Sequence, residues 1–571
     1  MLSACGTGTT SEQTSQETSS SQETVSTSLA QIDNTKWQYD EADNVYWQVG
    51  ISYCENPADE QYETLGVYVP GEYMTAEDNG DGTYTCEINQ EGEVNGYTFE
   101  TAPIVIPVDT PGYSAMAAPT GYAEGVSDYT DAGFVYVYAG CRGRDEGAPA
   151  GVTDLKAAIR YIRYNEGVIP GDTESIFSFG MSGGGVQSAL LGSTGDSELY
   201  TPYLEEIGAV TGVSDAVTGS MCWCPITNLD YADEAYEWNM GNTREDLDDE
   251  TQLLSNEMAE AFAQYINELR LKDENGNVLT LTESEDGIYQ AGSYYDYLKT
   301  VIENSLNNFL SDTTFPYTVE ESRGGMGGEN KPEGNIEGDA VKENNENMPD
   351  EDDFYARDGV DRNTQTGGIV LSGTCETAQD YINALNAEKT WVNYDSETNT
   401  ATITSIADFT EAVKRASKSI GTFDALDASQ AENTLFGYGD GEGAHFDEVM
   451  SEILADNEIY GQEYAEDMEK TDSLGNTVSY RVNMYNPLYF LVDYYDGYQT
   501  SNVAKCWRIR TGISQSDTAL TTEVNLALAL ENYGADVDFE TVWGKEHVEA
   551  ERTGDSTTNF IEWVNQCMAQ Q

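Results

Sequence analysis

The chain has 571 residues, more than one compact core accommodates, and 39% are hydrophobic, so it reads as two domains or one large domain with an insertion. A formal net charge of −77 argues against nucleic acid and anionic lipid headgroups as partners. No apolar run is long enough to read as a transmembrane helix. The first residues contain "LSAC", which matches the end of a bacterial lipoprotein signal and makes Cys5 the candidate lipidation site. The alternative is a chance four-residue match. Residues 6–33 hold no Lys, Arg or aromatic residue, a composition that buries no core, so residues 1–34 read as a truncated signal remnant and disordered tether. The expected location is extracytoplasmic, at a bacterial cell surface, with a lipid on Cys5 as the sole membrane contact.

β-structure is predicted next. "NVYWQVGISYC" and "ETLGVYVP" read as strands and "EDNGDGTYTCEI" as a hairpin. The acidic turn over residues 77–82 lacks a calcium loop's bidentate carboxylate, because Ile88 occupies that place. "GFVYVYAG" reads as a buried strand, "GVTDLKAAIRYIRYN" as a helix, "SIFSF" as a strand and "VQSALLG" as a helix. This alternation predicts an α/β fold with a parallel sheet and crossover helices. After "GSMCWCPI" the sequence becomes long, polar and irregular, and residues 318–353 read as a flexible acidic loop. Alternation resumes with "KCWRIRTG", the helix "ALTTEVNLALALENYG", the strand "DVDFETVWG" and a last helix "TNFIEWVNQCM". The expected organisation is a core over residues 35–226 and 486–571, interrupted by an inserted unit over 227–485.

Of nine cysteines, those other than Cys5 form no compact disulfide framework. Cys222 and Cys224 of "CWC" lie in an apolar run and read as buried thiols. With only two histidines, the chain offers no plausible zinc set, and no metal or organic cofactor is expected.

The chemistry centres on "GMSGG", where Ser182 fits G-x-S-x-G between a strand and a helix. The glycines permit the sharp turn that projects the hydroxyl, and the Gly183 N–H would face a developing oxyanion. The second donor is expected after "FVYVYAG", from Gly140 or Cys141. A serine needs a base, and the choice is His445 or His547. His547 follows the strand "DVDFETVW" near the C-terminus, and Asp517 follows the strand before it. The order Ser182, Asp517, His547 is that of α/β-hydrolases. Asp517 could instead serve only as a helix N-cap. His445, within the insertion, reads as structural.

These segments resemble bacterial tannases and related tannase/feruloyl-esterase-type α/β-hydrolases. The resemblance rests on "FVYVYAGCRGRD", "GMSGGGVQSALLGSTGDSELYTPYLEEIGA", "CPITNLDYADEAYEW", "FDALDASQAENTLFG", "WRIRTGISQSDTALTTEVNLALAL" and "WGKEHVEAERTGDS". It implies an α/β-hydrolase sheet with a large inserted lid, and ester cleavage. It also implies that Lys418 and Glu432 from the lid and Asp517 from the core bind ring hydroxyls of a galloyl group. Without it, Lys418 reads as a solvated helix charge and Glu432 as an ordinary helix residue. The family's triad acid corresponds to Gln515 here, and Asp517 is the expected replacement. The expected function is therefore serine esterase action on phenolic esters, with a small-molecule ester as the partner. The alternatives are a generic carboxylesterase or serine peptidase of the same fold, and a non-catalytic surface binding protein.

Overall fold

The computed structural model describes residues 25–319 and 371–570, apart from 124, 246 and 286. Cys5, most of the predicted tether, and the predicted acidic loop from residue 320 onward lie outside the described residues.

The centre is a nine-stranded sheet. Its strands are β1 (Gln38–Asp40), β2 (Val45–Ser52), β3 (Thr64–Pro70), β4 (Pro103–Val108), β5 (Val135–Ala139), β6 (Asp172–Met181), β7 (Gly219–Trp223), β8 (Cys506–Gly512) and β9 (Asp536–Val542). Their spatial order is β1-β2-β3-β5-β4-β6-β7-β8-β9. Pairing is antiparallel from β1 to β5 and parallel from β5 to β9. Parallel strands covered on both faces carry apolar runs in place of alternation. β4 and β7 are accordingly buried at every position. β8 is also buried throughout although it carries Arg508 and Arg510. Arg508 makes two 2.6 Å hydrogen bonds to Glu551, and Arg510 donates to Asp538 at 2.7 Å.

Helix α1 (Ala150–Tyr164) and helix α2 (Gly183–Ser193) follow β5 and β6 as crossover helices. Helix α2 packs closely against β6 and β7. Gly184 makes that approach possible, because a Cβ there would lie 2.0 Å from the Val108 carbonyl oxygen. A backbone oxygen cannot swing away as a side chain can. Gly184→Ala should therefore displace β4 from α2 and destabilise the fold by about 3 kcal/mol or more. Thermal or urea unfolding of the variant measures this, and an unchanged midpoint would contradict the packing.

The stretch between β7 and β8 is more ordered than its polar sequence indicates. It contains α3 (Ala232–Met240), the 21-residue α4 (Asp249–Leu269) and α5 (Ser293–Asp312). Asp248 caps α4 by accepting from the Thr251 N–H. Leu254, Met258, Phe262, Ile266 and Leu269 then give it one buried stripe. The helical period is present in the sequence but diluted by acidic residues on the outer face. Most buried side chains of the insertion join the apolar cluster beneath the sheet, and Ser305 on α5 donates to the Thr541 carbonyl of β9 at 2.9 Å.

The tether prediction needs correction over residues 25–34. Ser26 exchanges backbone hydrogen bonds with Thr211, at 3.1 and 3.2 Å. The N–H of the buried Ile32 donates to Asn165 Oδ1 at 2.8 Å. Backbone pairing and two apolar anchors, Ile32 and the partly buried Leu29, hold this stretch where composition alone shows no core.

Candidate active site

The carboxyl ends of β4, β6, β8 and β9 converge, and each contributes a loop to one site. Ser182 sits between β6 and α2 with φ 57° and ψ −121°, a strained conformation for a residue with a Cβ. The turn is fixed on both sides: the Ser182 N–H donates to the Trp223 carbonyl at 2.9 Å, and its carbonyl accepts from Val186 N–H at 3.0 Å.

His547 lies in the loop after β9. Its Nε2 is 2.8 Å from Ser182 Oγ. Neighbouring contacts hold this loop. Cys224 Sγ approaches the Val548 carbonyl at 3.3 Å, and Glu551 accepts from Trp223 Nε1 at 2.9 Å as well as from Arg508. Cys222 and Cys224 are buried free thiols, matching the sequence reading.

The other imidazole nitrogen, Nδ1, is 2.7 Å from Gln515 Oε1. Asp517, the sequence-based choice for this partner, stands 3.9 Å from Nδ1. Its Oδ1 is also 4.0 Å from Lys418 Nζ. Gln515 Oε1 is thus within hydrogen-bond distance of Nδ1, and an Asp517 carboxylate oxygen lies farther from it. Backbone bonds set this arrangement. Ile513 N–H donates to Val542 O and Ser514 N–H to Lys545 O, both at 3.0 Å, which locks the loop after β8 against the loop that carries His547.

Behind Gln515 is a buried polar layer that no local sequence pattern announces. Gln515 Nε2 lies 2.8 Å from Glu523 Oε1, 2.8 Å from Thr518 Oγ1 and 3.0 Å from Thr511 Oγ1. Glu523 stands in the first turn of α6 (Leu520–Tyr533), where the helix dipole favours a carboxylate. Burial nevertheless pushes its carboxyl above the ordinary range, and the Lys414 ammonium opposes that shift. Lys414 comes from the insertion and donates to the Gln515 carbonyl oxygen. Burial pulls its ammonium down to about 8, against the attraction of Glu523 and Asp517.

The oxyanion side requires a correction. Gly183 opens α2 beside Ser182. Cys141 is not the second donor: its N–H is already given to Met116 O at 2.9 Å, and that of Gly140 to Thr64 O at 3.0 Å. The reason is strand order. β4, not β5, adjoins β6, so the loop that reaches the elbow is the one after β4. A Cβ on Gly183 would lie 2.5 Å from Thr110 O, 2.6 Å from Tyr113 N and 3.2 Å from Gly112 N. Arg144 pins this loop by donating to Gly112 O at 2.7 Å. "PIVIPV" followed by "DTPGY" was the available signal.

The insertion supplies the opposite wall. Lys418 and Glu432 are both drawn to the site. Glu432 is buried on the short helix Ala431–Leu435. Burial raises its carboxyl, Lys418 and Arg144 counter this, and Asp517 adds to it. Lys418 Nζ sits 5.0 Å from the Phe423 ring centre. Its backbone carbonyl accepts from Arg244 at 2.6 Å, which fixes the segment. His445 lies elsewhere. It is buried, 2.7 Å from Asp424 through Nδ1, and stacked on Tyr464 at 3.7 Å, in keeping with a structural role. Among the described residues, no group of His, Cys, Asp and Glu has the geometry to hold a metal ion, and no helix is long and apolar enough to cross a membrane.

The BD-FAE family model, which describes esterases, matches residues 98–269, from β4 through the elbow and into the insertion. No curated protein matches the chain. Among solved structures, the tannase of Fusobacterium nucleatum matches with a TM-score of 0.65 and 27% identity, over 92% of this chain and 95% of its own. A tannin acyl hydrolase in complex with ethyl gallate matches with a TM-score of 0.63 and 26% identity, over 91% and 94%. The tannin acyl hydrolase of Lactobacillus plantarum matches with a TM-score of 0.65 and 24% identity, over 95% and 98%. The chain thus has the α/β-hydrolase fold, is similar to bacterial tannases across nearly its full length, and reads with the BD-FAE match as an ester hydrolase.

Proposed function

We propose that the protein is a serine esterase that hydrolyses phenolic esters of the galloyl or hydroxycinnamoyl kind. The observation that carries this reading is the 2.8 Å contact between His547 Nε2 and Ser182 Oγ at a strained strand–helix turn. His547 takes the hydroxyl proton as Ser182 attacks the ester carbonyl. The N–H groups of Gly183 and Gly112 stabilise the oxyanion of the tetrahedral intermediate. His547 returns the proton to the leaving alcohol, and water, activated by the same nitrogen, releases the acid from Ser182. Asp517 contributes negative charge near the imidazolium and a hydrogen-bond acceptor toward the substrate.

The phenolic specificity rests on Lys418, Glu432 and Asp517, an ammonium and two carboxylates gathered beside the nucleophile. Such a set matches a ring bearing several hydroxyls better than an alkyl chain. Structures of tannin acyl hydrolase similar to this chain are described with ethyl gallate and with 3,4-dihydroxybenzoate, both hydroxylated aromatic ligands. Hydrolysis of gallate, ferulate, acetate and butyrate esters by the purified protein tests the reading. The aromatic hydroxy-esters should lead by at least tenfold in kcat/KM; butyrate in the lead would leave only a generic esterase. Gln515 in the acid's position favours a second reading, a phenol-binding protein without turnover. Labelling of Ser182 by a fluorophosphonate separates the two, since only an activated serine reacts.

A further inference from the structure

An amide is a poor substitute for the carboxylate of a catalytic triad. It can turn its NH2 toward the imidazole, force the wrong tautomer and lower the rate about 10^4-fold. Gln515 occupies that position here, with Oε1 2.7 Å from His547 Nδ1. The surroundings of its NH2 decide the outcome. Glu523 Oε1 lies 2.8 Å from Gln515 Nε2. In its carboxylate form, which Lys414 and the hydroxyls around it favour against burial, Glu523 only accepts hydrogen bonds, so it can face the NH2 but not the carbonyl oxygen of the amide. Thr518 and Thr511 could either donate or accept, but their hydroxyls also point at Glu523 Oε1, at 2.8 and 3.3 Å. With both protons directed to the carboxylate, they present lone pairs to the amide as well. Gln515, Glu523, Thr511 and Thr518 are all buried, so water does not offer the amide another partner.

We infer that Glu523 is a positioning residue that acts through Gln515: it fixes the amide orientation, and the amide fixes His547 with its proton on Nδ1 and its lone pair toward Ser182. Glu523 also supplies negative charge one amide away from the ring, where a triad acid would ordinarily stand. The carboxylate function is displaced outward by one side chain. Lys414, brought from the insertion to this layer, is the counter-charge that accompanies the buried carboxylate. This inference rests on the serine-esterase reading and deepens it.

The test is a charge exchange across the pair, with hydrolysis of the best ester substrate as the readout. Glu523→Gln keeps the shape but can donate as readily as it accepts, so the orientation preference is lost. Its kcat should fall at least about tenfold with KM within about twofold. The double variant Gln515→Glu with Glu523→Gln puts the carboxylate directly on His547 and the amide behind it. It should recover wild-type turnover or exceed it. A purely structural role for Glu523 predicts no such rescue. Equal turnover in Glu523→Gln and wild type, or a double variant no better than Glu523→Gln, overturns the inference. Should Glu523→Gln fail to fold, the wild-type chain decides alone. Long-range 15N–1H correlation on histidine-labelled protein, assigned with His547→Ala, should show His547 protonated on Nδ1, and an Nε2–H tautomer refutes the mechanism. Failure of the esterase reading is distinct: it would leave Ser182→Ala and His547→Ala as active as wild type, whereas failure of the relay leaves those two inactive and Glu523→Gln normal.

Discussion

Ser182→Ala and His547→Ala are each expected to lower kcat for ester hydrolysis by about 10^4-fold or more, with little change in unfolding midpoint. The reason is that nucleophile and base act as one unit. Removing either leaves only the oxyanion donors and substrate binding, and mutant series in serine hydrolases show that the residue of catalysis is then small and common to all knockouts. Ser182→Ala deletes one hydroxyl from a turn held by backbone bonds to Trp223 and Val186, so the fold should persist. His547 is only partly buried, and its loop is held independently by Glu551, Arg508 and Trp223. His445→Ala is the control, because it touches the other histidine. It removes a buried partner of Asp424, so the midpoint should drop by an amount equivalent to about 1–3 kcal/mol while the folded fraction keeps normal turnover. Steady-state kinetics with melting curves on the three variants separate these outcomes. If His445→Ala is inactive and His547→Ala turns over normally, the base has been assigned to the wrong residue.

The elbow was legible in sequence for a physical reason. A short apolar strand, a cluster of glycines and a helix are local features, and close packing such as that of Gly184 against Val108 leaves small residues as its trace. His547 was legible by scarcity and by its place after the last strand. Sheet order was not. It depends on which strands lie side by side, so the loop after β5, with Cys141, was favoured over the loop after β4 that reaches the elbow. The helices of the insertion were obscured because solvated faces rich in Asp and Glu hide a stripe such as Leu254–Met258–Phe262. The oriented amide was beyond reach for another reason. Gln515 meets Glu523 only because a loop and the first turn of α6 fold back together, and Lys414 reaches the same place from a hundred residues earlier in the chain. The sequence drew attention to Gln515 but not to what stands behind it.

Substrate choice follows from the charges opposite the nucleophile. Lys418→Met and Glu432→Gln should each reduce kcat/KM for a galloyl ester by about ten- to a hundred-fold. A charge-assisted hydrogen bond contributes roughly 1.5–3 kcal/mol, and each substitution removes one while keeping most of the side-chain volume. Glu432 is the more informative of the two, because burial raises its carboxyl and Lys418 leads the groups that oppose the shift, ahead of a backbone hydrogen bond and Arg144. Lys418→Met therefore also favours the protonated form of Glu432, which can donate to a ring oxygen but accepts less well. The two substitutions should consequently be non-additive when combined, with a joint loss smaller than the product of the single losses. Butyrate ester hydrolysis should stay within about twofold in both, since an alkyl chain offers neither donor nor acceptor. Asp517→Asn distinguishes two roles. Gln515 holds the hydrogen bond to His547 Nδ1 at 2.7 Å, and Asp517 stands at 3.9 Å. Asp517→Asn should then reduce galloyl ester hydrolysis by the same ten- to hundred-fold and butyrate hydrolysis by less than about fivefold. Equal loss on both esters would mean that Asp517 supports the imidazolium in every turnover, and an unchanged galloyl rate in all three variants would remove the ring-hydroxyl reading while leaving the esterase intact.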